Sequence, residues 1–388
     1  MKYILFDEPQ IRACLKPFTF TRPVAEIRCG ILTITDKWKH YLGSNSGYLT
    51  EGYLSKKYSH DNSGRIYING GVCPTPQLVE LIENIEEKTA IIYNDIVVAV
   101  KSVDELAFGF NIDGFNKVIF DGHLTIIRQL PDIFSLNGKQ IKADFGLITK
   151  GKVSAEIKDP FTRVYAPENV FVEEGASIRA AILNAEGGPI YISKDAQVQE
   201  GAIILGPCFI GEGSIVAWGS KIRNNTSIGH HSRVGGEVGN SVFFAYSNKA
   251  HDGFLGNSVI GEWCNLGANT NNSNLKNDYT NVRLYNYSTE QLEDTGTIFC
   301  GTFMGDYTKA GISTMFNTGT VVGVNVNVYG AGFQEKHIPS FTWGGAAEGY
   351  TEYRFDKAIQ VIRETMKRRN LDLSEEDFEI LKWVFEHK

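Results

Sequence analysis

From Ile192 to Val234 an aliphatic residue stands at every sixth position: Ile192, Val198, Ile204, Ile210, Val216, Ile222, Ile228 and Val234. From Val198 onward the residue two places earlier is small: Ala196, Ala202, Cys208, Ser214, Ser220, Thr226 and Ser232. A helix repeats about every 3.6 residues and a strand every two, so neither alone generates this register. A hexapeptide β-helix does. Each hexad supplies a short strand whose aliphatic residue points into a common bore, and the small residue lets the chain turn a corner. No hexad buries its apolar side alone, so the coils must stack.

The register returns at Ile260 and Leu266, then at Met304, Ala310, Phe316, Val322 and Val328. Thr302, Thr308, Thr314, Thr320 and Val326 hold the small or β-branched slot there. Gaps of fourteen residues (Ile178 to Ile192), twenty-six (Val234 to Ile260) and thirty-eight (Leu266 to Met304) are each a multiple of six plus two. Such insertions become loops on one face of a solenoid.

Residues 1–145 lack the register and alternate short apolar runs with helical patterns. Strands are expected at Tyr3–Phe6, 90–93 and 96–100 and a helix at Pro76–Ile85, an α/β domain with a largely parallel sheet. Residues 132–169 read as a polar linker into the first coil, where Val172 and Ile178 are in register. The β-helix domain is expected over 146–345 and a helical segment over 346–388. In the latter, Phe355, Ala358, Val361, Ile362 and Met366 share a helical stripe, and Ser374 N-caps a last helix carrying Phe378, Leu381 and Val384. These helices are expected to cap the open end of the solenoid or to join packing between subunits.

A chain of 388 residues with a formal net charge of −7 and no Lys/Arg cluster lacks the electrostatic footprint of a nucleic-acid or anionic-membrane binder. Its six cysteines are scattered without a CxxC pair, which predicts reduced packing residues. The first residues meet Asp7 and Glu8 at once, and no apolar run is long enough to span a bilayer, so a cytoplasmic protein is expected.

The hexads resemble those of the hexapeptide-repeat acyltransferases. That resemblance implies a left-handed triangular solenoid, a homotrimer, and acetyl-CoA as acyl donor in the cleft between neighbouring subunits. The run EVGNSVFFAYSNKAHDGFLGNSVIGEWCNLGANTNNSNLKND, 237–278, resembles the acetyltransferase half of the GlmU-type bifunctional enzymes, which acetylate glucosamine 1-phosphate and then uridylylate it. Carried over by position, the resemblance implies His251 as general base and Asn265 and Asn274 as contacts to sugar and backbone. It implies Arg223 of KIRNN at the sugar phosphate. Lys249 is a further substrate-binding cation, one place nearer the His than the family's Lys. Lys309, in the later coils, is a plausible contact for the acyl donor. A neutral imidazole takes an amine proton near neutral pH more readily than any other side chain. Phe254 replaces the family's Tyr, Gly239 stands at a Lys position, and Asn269 interrupts the usual Ala-Gly-Thr. The polar excursion from Asn271 to Asp294 is of a length to reach over a neighbour's cleft.

Near the start, CLKPFTFTRPVAEIRCGILTI resembles the opening of the sugar-1-phosphate nucleotidyltransferases. DEPQIRAC replaces their glycine-rich loop, Cys14 stands at the Arg position and Val24 at the Lys position. Arg12, Lys16, Arg22 and Arg28 remain as a phosphate cradle, or as charges on a structural domain. Asp95, after an apolar strand, stands where the family keeps its Mg²⁺ carboxylate, although Asn-Asp is also a common turn. The reading is acetyl-CoA-dependent N-acetylation of an amino-sugar 1-phosphate with uridylyl transfer from UTP as a second step. Two others stay open: a single-function acyltransferase with a degenerate N-terminal domain, and a non-catalytic trimeric scaffold.

Overall fold

A computed structural model describes residues 2–61 and 65–388. The six-residue register becomes three sheets of nine, ten and six strands, all parallel except the final pair of the ten-stranded sheet. Ile192 pairs with Ile210 and Ile210 with Ile228, so successive coils superpose every eighteen residues and their aliphatic side chains stack in the bore. Ile192, Ile204, Ile210, Val216, Ile228 and Val234 are fully buried. At roughly 25 cal/mol per Å² of apolar surface, each such side chain contributes about 1.5–3 kcal/mol. This is the parallel hexapeptide β-helix that the repeat predicts.

The N-terminal domain carries a six-stranded sheet in the order Asn45–Leu49, Tyr3–Phe6, Ile66–Asn69, Ile96–Lys101, Thr89–Tyr93, Asn116–Ile119. The expected strands and the helix Pro76–Glu83 are present, but the sheet is mixed. Ile96–Lys101 runs antiparallel to both its neighbours. The cause is local: Asn94 and Asp95 both take positive φ, 46° and 63°. Two consecutive left-handed residues make a tight hairpin turn that reverses the chain.

The expected linker is replaced in its first half by helices Leu130–Ser135 and Asn137–Thr149. Gln129 and Asp132 form a reciprocal capping box, and Ile133, Phe134, Ile141 and Ile148 are buried at helical spacing. Asp144, from the second helix, is ion-paired to Lys37 in the buried interior and accepts the backbone N–H of Ile31 at 2.8 Å. Asn137 accepts the Ser227 hydroxyl at 3.1 Å and so ties the domain to the solenoid. A second tie is aromatic, with Phe18 against Phe244 at 5.0 Å between ring centroids.

The excursion after Leu266 folds into the hairpin Arg283–Asn286/Gln291–Asp294. It packs on this chain's own N-terminal domain rather than reaching away, because Val282 and Leu284 are apolar and join that domain's core cluster. Tyr287 meets Phe20 edge-on at 5.3 Å. The terminal helices Phe355–Lys367 and Glu375–Glu386 form as expected, with the Ser374 side chain accepting from Asp377 N–H. They lie along a corner of the solenoid rather than over its end. Their buried residues Ile359, Ile362 and Leu381 share a core with Trp263, Tyr307 and Phe341 from successive coils. Trp383 also stacks on Tyr53 of the N-terminal domain at 3.7 Å. No helix among the described residues is long and apolar enough to cross a membrane.

Candidate functional site

One residue before each inward aliphatic side chain points outward, since side chains alternate along a strand. In the ten-stranded sheet this rule stacks Arg233, Asn248, Asn265 and Lys309 on one outer face. The turn after Asn248–Lys249 carries His251 to the edge of that face. The turn seats closely on the previous coil, where a Cβ on Gly235 would come within 2.3 Å of the Ala250 carbonyl oxygen. Phe254, just beyond, donates its N–H to Asn271 Oδ1 at 2.8 Å.

His251, Asn265 and Lys309 line one cleft of about 670 Å³, with Arg233, Arg368 and Arg369 on its walls. Tyr246 and Trp263 stack at 4.3 Å along its side. His251 is exposed, and its ring has no hydrogen-bond partner among the described residues. None of Arg233, Lys309, Arg368 and Arg369 lies within salt-bridge distance of a carboxylate among the described residues. Burial lowers the pKa of Arg369, and the neighbouring Arg233 and Arg368 lower it further. Burial likewise lowers that of Lys309. Cations without a carboxylate partner favour a phosphorylated ligand.

The other residues singled out from the sequence fall elsewhere. Arg223 lies on the adjacent six-stranded face, over Gly239, where an added Cβ would meet its side chain at 3.0 Å. It is paired with Glu237 at 3.4 Å and is more than half exposed. Gly239 pairs with Gly256, beyond which Asn274 donates to Asn257 Oδ1 at 2.7 Å. Arg223 and Asn274 therefore share a face with each other and not with the cleft. Lys249 is turned inward: it pairs with Val234 and is 1% exposed, so it contacts no ligand on the outer surface. Fifteen residues separate Val234 from Lys249, where eighteen separate Val216 from Val234. The shortened coil advances the register and places Lys249 in the bore.

The N-terminal cations are committed to protein. Arg12, 1% exposed, donates to Asp7 at 2.8 Å and to Tyr53 at 2.9 Å, and lies 3.3 Å from Glu51. Arg22, 6% exposed, is ion-paired with Asp306 and, at 3.0 Å, with Glu262 of the solenoid. Thr21 adds a bond to Asp306 at 2.6 Å. Arg28 donates to the Ile31 carbonyl and lies over the Phe209 ring. The segment expected to cradle phosphate is thus the contact between the two domains. Like Arg28, Lys16 has no carboxylate within salt-bridge distance among the described residues. It sits 5.0 Å from the Phe20 ring in a separate groove with Tyr285 and His337.

Asp95 is exposed at the tip of the hairpin turn. No group of three or more His, Cys, Asp or Glu among the described residues is placed to hold a metal ion. A lone exposed carboxylate on a reversed strand does not fit a Mg²⁺ site, so the turn reading of Asn94-Asp95 accounts for it.

Sequence reasoning missed Arg233, Arg368, Arg369 and the Tyr246/Trp263 pair. Arg233 was within reach, because it immediately precedes the inward Val234. Arg368 and Arg369 were not, since nothing in the register says where the terminal helices dock.

The chain is 32% identical over 122 residues to the Bifunctional protein GlmU of Methanocaldococcus jannaschii, covering 31% of this chain and 28% of that one. It is 31% identical over 144 residues to the Bifunctional sugar-1-phosphate nucleotidylyltransferase/acetyltransferase of Sulfurisphaera tokodaii, covering 37% of this chain and 35% of that one. The match spans about a third of the length of these curated relatives. Among solved structures, the polySia specific acetyltransferase NeuO aligns over 55% of this chain and 97% of its own, with 13% identity and a TM-score of 0.29. The family model described as Sugar nucleotidyl transferase matches residues 3–153, and it is to that family that the N-terminal domain is similar.

Proposed function

We propose that the chain is a transferase that moves an acyl group from acetyl-CoA to the amine of an amino-sugar phosphate or nucleotide sugar, with His251 as general base. The observation that carries this reading is the convergence on one cleft of His251, Asn265 and four cations, Arg233, Lys309, Arg368 and Arg369, that have no carboxylate partner among the described residues. His251 takes a proton from the sugar's amine as its nitrogen attacks the thioester carbonyl. The tetrahedral oxyanion is held by backbone N–H groups of the cleft. Collapse releases the thiolate of coenzyme A, which recovers the proton from the imidazolium. Arg233, Lys309 and the arginines at the end of the first terminal helix hold the donor's phosphates. The working form is a homotrimer in which a neighbour completes the cleft; Ile312, on the cleft wall and 75% exposed, is the surface such a neighbour covers.

Glucosamine 1-phosphate is the acceptor we put first, because the relatives that the chain resembles are GlmU proteins. A second reading, in which the chain also transfers uridylyl groups from UTP, has the match at residues 3–153 in its favour. The burial of Arg12 and Arg22 stands against it, and no step through Mg²⁺ is drawn.

The test is thiol release from acetyl-CoA with a panel of amino-sugar 1-phosphates, beside pyrophosphate release from UTP with the acetylated products. His251→Ala is expected to lower the first by about 10²–10⁴-fold. Thiol release unchanged in that variant rejects His251 as base; robust pyrophosphate release restores the second reading.

A further inference from the structure

Apart from Lys249, the inward column of the ten-stranded sheet is apolar: Val198, Val216 and Val234 precede it, and Leu266, Ala310 and Val328 follow. A cation taken from water into an aliphatic bore is costly, and an aliphatic side chain would complete the column without that cost. The fold therefore does not ask for a lysine here. Burial pushes its pKa down to about 8, with Asp252 opposing the shift.

The ammonium group is spent on two backbone carbonyls. Nζ donates to the Gly235 oxygen at 3.1 Å and to the His251 oxygen at 2.9 Å. The first acceptor belongs to the preceding coil and the second to the turn that carries the imidazole. No side chain among the described residues orients the His251 ring, whereas a general base is commonly fixed by a third group. What holds that ring in the cleft is its backbone, and Lys249 grips that backbone from beneath.

We infer that Lys249 is a positioning residue: from inside the bore it clamps the turn at 250–253 to the preceding coil and so sets where His251 stands in the cleft. The inference rests on the reading of His251 as general base. Misplacing a catalytic group by about 1 Å costs on the order of a hundredfold in rate, while donor binding on the outer face is untouched.

The experiment compares wild type, Lys249→Met, which keeps the length and removes every donor, and Lys249→Gln, which keeps two N–H donors. Lys249→Met should lower kcat for acetyl transfer by about ten- to a hundredfold, with KM for acetyl-CoA within about twofold and partial recovery in Lys249→Gln. A second measurement does not depend on turnover. Backbone amide exchange at 250–253 should rise about tenfold in Lys249→Met relative to amides of the coils at 198–222, and less in Lys249→Gln. Unchanged kcat in Lys249→Met, or an effect confined to KM, overturns the inference, as does unchanged exchange in that variant. Wild type without acyl-transfer activity sinks the general-base reading instead, and the exchange comparison then still decides whether Lys249 clamps the turn.

Discussion

Two groups of cations in this molecule differ in one respect. Arg12 and Arg22 of the N-terminal domain are buried and paired with Asp7, Glu51, Asp306 and Glu262. Arg233, Lys309, Arg368 and Arg369 at the solenoid cleft have no carboxylate partner among the described residues. In sequence the first group looked like the phosphate site, because it lies in a segment resembling a nucleotidyltransferase loop. The contrast teaches that a cation marks a ligand site only when the protein has left it unpaired. Charge already matched by a buried carboxylate belongs to the fold.

The largest effect expected from breaking this contrast is on stability. Arg22→Met leaves Asp306 buried without its cation, and removing one partner of a buried pair costs about 3–5 kcal/mol. Denaturant unfolding of that variant should show such a loss. Arg233→Ala, on the exposed face, should change stability by no more than about 0.5 kcal/mol. Equal losses in the two variants would erase the distinction between committed and free cations.

Lys249 is a third case, buried yet bonded only to carbonyls, and its sign can be worked out. Its folded pKa of about 8 lies below the ordinary 10.5, so between these values the unfolded chain binds more protons. Wild type should therefore gain stability as the pH rises from about 8 to 10.5, by roughly 3 kcal/mol relative to Lys249→Met. That gain is lost again as the pH falls from 10.5 to about 8 and is absent below it. Unfolding free energies of the two proteins at pH 7.5 and pH 10 would read it. Parallel pH curves would mean that the lysine is solvated.

The smallest effect is on donor affinity. Arg233→Ala and Arg368→Ala each remove a charged contact of about 1.5–3 kcal/mol in the proposed complex. Solvent screening at the cleft mouth reduces this to about a tenfold rise in KM for acetyl-CoA apiece. An unchanged KM in both would place the donor on another face.

The solenoid was legible because its period is long, regular and unlike any other: the residues read as inward are the residues found in the bore. The terminal helices and the strands Tyr3–Phe6, Thr89–Tyr93 and Ile96–Lys101 were legible for the same local reasons. The direction of Ile96–Lys101 was not, because it depends on a turn type set by two left-handed residues. The helix Asn137–Thr149 was missed because its apolar residues are few, and much of its anchoring comes from the polar Asn137 and Asp144 bonding to distant segments. Within the site, His251 and Asn265 line one cleft. Lys249 was misjudged by a coil three residues short, which no six-residue count could foresee.

The central claim is that the free cations of the solenoid, and not the paired ones of the N-terminal domain, bind the phosphorylated ligand. Calorimetric titration of coenzyme A and of UTP into wild type and into the Arg233→Ala/Arg368→Ala double variant tests it most directly. The account predicts that coenzyme A binds wild type and is weakened about a hundredfold in the double variant, while UTP gives no binding heat in either. Coenzyme A binding untouched by the double change, or UTP binding that survives it, would contradict the account.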